Sequence, residues 1–380
     1  MALRDLAVAG AVGVLAGTAS AFFLGALDAV TAAREFRPWL TWALPLAGLA
    51  LGWALERLGT GGTSVVVAAL RGGPRIPAGM APIALGGTLV THLFGGSAGR
   101  EGTAVQMGGS LADALAGRLG LGAGARRLAV VAGVAGGFGS VFGTPLAGAV
   151  FALELGGWSW MGGAVAVTGS LVGDLVARGW GARHADYPAI AWVGDVGLVW
   201  RWIVFAVAVA AVTTGFVALQ GEIRRAGAGW RLPVRMAVGG AVVVALWRLA
   251  GTDAYLGLGV PQIQEAFADP GLPGEMFAWK AVFTAVTVGS GFPGGEVTPL
   301  FFVGATLGNA LARGLGIPLA LGAGVGMAAV FACAARAPLA LAVMAGELLG
   351  VGVVPHALVV CGVGAWLMRG PGIYEGGRTP

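Results

Sequence analysis

Apolar stretches follow one another from residue 5 to residue 369 with no polar block between them. The first, Leu6 to Ala33, is interrupted only by Asp28. It exceeds the roughly 20 residues a membrane-crossing helix needs and is too long for a signal-peptide core of about 7–15, so it is expected to be a helix. Other stretches run short. Trp39 to Leu55, Ala81 to Phe94, Leu128 to Phe138 and Met327 to Ala335 fall below a full span or barely reach it. Many helices should therefore be tilted, short or re-entrant.

The same pattern occurs twice. GGSLADALAGRLG at Gly108 to Gly120 matches GATLGNALARGLG at Gly304 to Gly316, with seven identities in thirteen positions at an offset of 196. GTPLAGAVFALEL at Gly143 to Leu155 matches RAPLALAVMAGEL at Arg336 to Leu348, with eight in thirteen at an offset of 193. Each half carries a Gly-rich acidic turn, an apolar helix, then a Pro-Leu-Ala helix ending in Glu. The expected organisation is one membrane domain over 1–380, with halves of about 1–180 and 190–380 meeting near Arg178 to Tyr187, and no cytoplasmic regulatory domain. Internally repeated membrane chains are typically transporters with a substrate site between the repeats.

Composition narrows the class further. The chain is 57% hydrophobic and 11% charged, against about 45–50% and about 25% for soluble domains, which marks an integral membrane protein. A net charge of +5, dispersed along the sequence, excludes nucleic-acid binding. Cys333 and Cys361 both lie in apolar stretches and form neither a disulfide framework nor a cysteine-rich metal site. No phosphate loop, zinc helix or dinucleotide fingerprint is present, so the sequence offers no basis for ATP-driven transport by this chain and implies no cofactor or metal. The 71 glycines serve close helix packing, broken helices whose backbone lines a cavity, or both. Arg-bearing loops, Arg118 to Arg127 and Arg224 to Arg235, point to the cytoplasmic face by the positive-inside rule.

The candidate chemistry lies in two Gly-rich turns at matching places, FGGSAGREGT from Phe94 to Thr103 and GSGFPGGEVTP from Gly289 to Pro299. Each ends where an apolar helix begins, so unpaired amides and the positive end of a helix dipole are available to an anion. Glu101 can occupy the anion's own position as a carboxylate and leave it when protonated, which would couple anion movement to protons. The plain alternative for Glu101 and Glu296 is an acid in a helix's first turn, and for Thr298 a helix cap. Tyr374, near Pro371 and Gly372, alternatively reads as an interfacial tyrosine. Glu154 and Glu347, which recur at matching repeat positions, are assigned to helix ends or packing.

These residues carry a resemblance to the CLC anion transporters, and more closely to their bacterial fluoride/proton antiporter branch, over nearly the whole chain. GREGT, Gly99 to Thr103, resembles the family's GREGP, which implies that Glu101 is the outer gate and proton carrier. GEVTP, Gly295 to Pro299, resembles GxFxP, implying anion contacts from Gly295, Glu296, Val297 and Thr298, with the Glu-Val-Thr version pointing to the fluoride branch. Ile373-Tyr374 resembles the segment that supplies a tyrosine hydroxyl to the central anion. Glu154 is followed by Leu155 rather than by the second glutamate of chloride/proton exchangers, which also fits that branch. One position departs: where the branch places Asn or Met, this chain has Gly62 or Thr63, so a backbone amide and the Thr63 hydroxyl are the expected substitutes.

The resemblance implies an all-α membrane bundle of inverted, interlocked repeats with short and re-entrant helices, paired as a homodimer with one pore per subunit in the cell inner membrane. It implies fluoride export against protons, with lipid the remaining partner. Alternatives are a passive anion channel or a chloride/proton exchanger. From a different class, Gly95-Gly96-Ser97-Ala98-Gly99 formally satisfies the nucleophile-elbow pattern of serine hydrolases, with His92 the nearest base and His184 and His356 elsewhere.

Overall fold

Proline and glycine punctuate the apolar chain. Helices start with Pro at their first positions, as at Pro45, Pro145, Pro233 and Pro338, and end on left-handed glycines at Gly59, Gly143, Gly251 and Gly316. The computed structural model describes residues 2–59, 61–194, 198–368, 370 and 372–374. Among them the regular elements are helical. In the first half these are α1 (Ala2–Phe36), α2 (Leu44–Leu58), α3 (Thr63–Leu70), α4 (Met80–Leu93), α5 (Glu101–Arg118), α6 (Ala123–Phe142), α7 (Pro145–Gly156) and α8 (Trp160–Gly179). After an extended linker come α9 (Leu198–Ala226), α10 (Leu232–Ala250), α11 (Val260–Glu265), α12 (Met276–Gly289), α13 (Val297–Leu315), α14 (Leu319–Ala335), α15 (Pro338–Leu349) and α16 (Val354–Leu367).

Among the described residues α1, α6, α8, α9 and α10 are each long and apolar enough to cross a membrane, and α4, α7, α12 and α15 are too short for a full span. Two sequence expectations change. Leu128 to Phe138 is the centre of α6, whose 20 residues do suffice, because Arg126 and Arg127 extend the helix into its polar first turns. Trp39 to Leu55 is not one element: Pro38–Ala43 forms a 3-10 turn before Pro45 restarts the chain as α2. Exposed tryptophans sit near helix ends, among them Trp39, Trp158, Trp160, Trp180 and Trp366, as suits a membrane interface.

The recurring glutamates have a mutual role. Glu154, near the end of α7, accepts from the amides of Leu339 at 3.0 Å and Ala340 at 2.7 Å. Glu347, near the end of α15, accepts from Leu146 at 2.9 Å and Ala147 at 2.8 Å. Each carboxylate thus satisfies the first free amides of the other helix and faces the positive end of its dipole. Removing one leaves two amides uncapped, so Glu347→Ala should cost about 1–2 kcal/mol. The expected result is a lower midpoint in thermal unfolding of the detergent-solubilised protein, with anion preference in liposomes unchanged.

Candidate functional site

The two Gly-rich turns meet and pair. Gly99 N–H donates to Gly295 O at 2.5 Å and Gly295 N–H to Gly99 O at 2.8 Å, a two-bond antiparallel bridge between the halves. The Gly295 amide is engaged by Gly99, and Pro299 has no N–H to offer, so neither supplies a backbone ligand. Gly295 instead permits close approach: a Cβ there would lie 2.7 Å from the Gly102 nitrogen. Gly99 clears the space for the gate, since its Cβ would meet Glu101 Oε2 at 2.8 Å.

Glu101, the first residue of α5, is fully buried, and its carboxylate reaches across to the start of α13. Oε2 accepts from Thr298 N–H at 3.2 Å and from Arg100 N–H at 3.1 Å, and Oε1 accepts from the Thr298 hydroxyl. Arg100 Nε lies 3.5 Å from Oε1. A carboxylate thus sits where backbone and side-chain donors converge at the N-terminus of α13, the arrangement an anion requires. Val297 is buried and opens α13. In the linker, burial pushes the Tyr187 hydroxyl up to about 12, and Arg100 and Glu101 are its electrostatic neighbours.

A cavity of about 390 Å³ approaches this junction from the end of α9 and the start of α10. Gly62, Thr63, Gln106, Glu296 and Tyr374 line it, with Arg224 and Arg235 supplying positive charge, which raises the local concentration of anions. The Thr63 hydroxyl reaches the α5 N-terminus, lying 3.7 Å from where a Cβ on Gly102 would stand. Glu296 is half-buried and accepts from Gln220 Nε2 at 3.0 Å. Tyr374 is buried, packs edge-on against Phe151, and lies within electrostatic range of both Glu296 and Glu101.

Sequence reading missed what holds these groups. Arg336, at the place where the first half has Gly143, takes the left-handed conformation at φ 58°. Its guanidinium donates to Ala365 O, Met368 O and Gly370 O at 2.6–2.7 Å. With Ile373 N–H donating to Ala334 O, these bonds fix the segment that presents Tyr374. Gln106 and Gln220 were also missed, although polar residues inside apolar helices are a signal for function.

The serine hydrolase reading fails on geometry. Ser97 Oγ shares a hydrogen bond with Thr284 at 2.9 Å, while the two ring nitrogens of His92 contact Thr88 O and Ala98 O. His184 faces Ser140 O and His356 accepts from Trp202. No imidazole reaches the serine, and Ser97 follows a helix and turn rather than a strand.

Residues 46–369 match the family profile described as voltage gated chloride channel. A chloride/fluoride channel protein of Pseudomonas syringae pv. tomato is 43% identical, over 98% of this chain and 86% of that protein. An H+/Cl− exchange transporter of Cronobacter sakazakii is 28% identical over 89% and 80%. The crystal structure of a CLC-type fluoride/proton antiporter superposes with a TM-score of 0.93 at 30% identity, covering 98% of this chain and 97% of its own. Repeated Gly-rich turns, a buried glutamate across their junction and these likenesses lead to one conclusion: the chain is a multi-pass membrane protein of the CLC, or voltage-gated chloride channel, family of anion transporters.

Proposed function

We propose that the chain is a secondary fluoride/proton antiporter that exports fluoride, working as a homodimer with one pore per subunit in the inner membrane and organised as two repeated halves. The observation that supports this best is the Glu101 carboxylate held by the Thr298 amide and hydroxyl, beside a cavity lined by their chain neighbours Thr103 and Glu296 and by Arg224 and Arg235. Fluoride enters past Arg224 and Arg235 and meets the hydroxyls of Thr63 and Tyr374. While charged, Glu101 takes up the donors of Thr298 and bars the way. Once protonated it has no net charge to hold against them. The anion then takes over those donors and leaves outward, and the proton moves inward with the Glu101 side chain. Glu296 faces the same cavity, where a second carboxylate opposes a nearby anion unless it too is neutralised. The likeness to a fluoride/proton antiporter at 30% identity and to a chloride/fluoride channel protein at 43% favours fluoride as the exported ion.

The reading is tested by purified protein in liposomes, with fluoride and chloride efflux followed by electrode and pH recorded together. Fluoride efflux well above chloride, driving protons uphill, is expected. Comparable chloride flux, or flux without proton movement, would transfer the assignment to a chloride-handling exchanger or a passive channel. Two variants probe the residues. Thr298→Val removes the hydroxyl donor and keeps the shape, so fluoride turnover should fall about tenfold, the worth of one hydrogen bond to a charged group; unaltered turnover would leave the Thr298 hydroxyl a partner of Glu101 with no part in transport. Glu296→Ala removes a carboxylate whose protonation accompanies the anion, so proton movement per fluoride and turnover should both change, while the protein still elutes as a single species on gel filtration. Unchanged turnover and coupling would leave Glu296 only the N-cap position of α13.

A further inference from the structure

The cavity wall contains a hydrogen bond whose direction decides what an anion meets. Gln106 Nε2, one turn beyond Gly102 on α5, donates to Thr63 Oγ1 at 2.9 Å. An amide nitrogen can only donate, so with the Gln106 amide assigned in this orientation the threonine oxygen is the acceptor and its own proton points elsewhere. Among the described residues that proton has no protein acceptor, and both side chains line the cavity. The contrast lies on the same wall: the hydroxyls of Thr88 and Thr103 are 2.6 Å apart, so one of their two protons is taken up between them.

Resting on the anion-exchange reading above, we propose that Gln106 is a specificity-determining residue, which acts by turning the Thr63 hydroxyl proton into the cavity as a fixed donor for a small, hard anion. A halide at the inner face of the Glu101 junction is met there by an O–H already aligned. Fluoride, with its charge concentrated on the smallest radius, gains more from an aligned O–H donor than chloride does. A site built around a donor also loses more when that donor is removed than a merely well-shaped pocket does. Gln106 therefore supplies, from α5, the orienting amide for the start of α3, at the selectivity position where this chain carries Gly62 and Thr63.

The test compares Gln106→Glu, Gln106→Leu, Thr63→Ala and Thr63→Ser with the wild type, in fluoride and chloride flux from liposomes. In Gln106→Glu the carboxylate accepts the Thr63 O–H and withdraws that donor from the anion, while its charge opposes both halides alike, so the fluoride-to-chloride ratio should fall by about tenfold or more. The effect should sit in the KM for fluoride, with a single symmetric gel-filtration peak as evidence of an intact fold. Thr63→Ser keeps the hydroxyl and should keep the ratio. Thr63→Ala should lose it, and adding Gln106→Leu to Thr63→Ala should change nothing further, because the two residues act through one proton. A wild type without preference for fluoride would overturn the antiporter reading and this proposal together. A fluoride-preferring wild type whose ratio survives in Gln106→Glu would overturn this proposal alone.

Discussion

Glu101→Gln vesicles should show no proton movement in response to an outward fluoride gradient, with pH traces matching those of protein-free vesicles. The reason lies in the donors that surround the side chain. Thr298 N–H, the Thr298 hydroxyl and Arg100 N–H all approach the Glu101 carboxylate, whose two oxygens can accept from every one of them. A glutamine of the same shape offers one carbonyl oxygen and an amide that can only donate. Its nitrogen would face either the Thr298 N–H, where two donors oppose, or the Thr298 hydroxyl, which must then reverse. The variant keeps the volume of the gate but has no titrating group and a weaker hold on α13. Fluoride should still run down its own gradient, since a neutral side chain leaves the Thr298 donors free to exchange partners. Proton exchange at the wild-type rate in this variant would sink the coupling mechanism, whatever happened to fluoride.

How much of this was legible before folding depends on the kind of interaction. The repeat, the two turns and the starts of α5 and α13 follow from local signals: glycine runs, an acid or Thr-Pro pair, then an apolar segment. The encounter of Glu101 with Thr298, 197 residues apart, was reachable through the sequence repeat, which sets the two Gly-rich turns at matching places. The use of the Gly295 amide was not, since a two-bond bridge between Gly99 and Gly295 is a tertiary event with no trace in either turn alone. The same limit hid Gln106 and Arg336. A glutamine in an apolar helix announces that it needs a partner but does not name Thr63. The Arg336 conformation runs against the usual preference for glycine at positive φ, and is offset by three carbonyl acceptors that lie 29–34 residues away. Helix length was misjudged where basic residues belong to the helix, as at Arg126 and Arg127.

Glycine abundance admitted two explanations, and the contacts between helices give close packing a testable weight. A Cβ on Gly304 of α13 would stand 2.1 Å from Gly326 O and 2.9 Å from Met327 Cα on α14; one on Gly308 would stand 2.2 Å from Gly322 O. The first half repeats the arrangement, with Gly108 of α5 at 2.1 Å from Gly133 O on α6. These are backbone atoms, which cannot turn aside as a side-chain tip can. In lipid, where helix association rests on contact rather than on the exclusion of water, separating two such helices loses the packing that joins them. Gly304→Val should therefore destabilise by more than about 3 kcal/mol, the upper range for overpacking, and yield no monodisperse protein. The same change at Gly25 of α1, where a Cβ meets nothing within 4 Å, should be tolerated, and it controls for the helix propensity of valine. The consequence reaches the site, because α13 begins with Val297 and Thr298 and any outward shift of it withdraws both donors from Glu101. A milder Gly304→Ala that still folds should for that reason lower fluoride turnover before it lowers expression. Wild-type yield and turnover in Gly304→Val would remove the packing explanation and leave cavity-lining backbone as the use of these glycines.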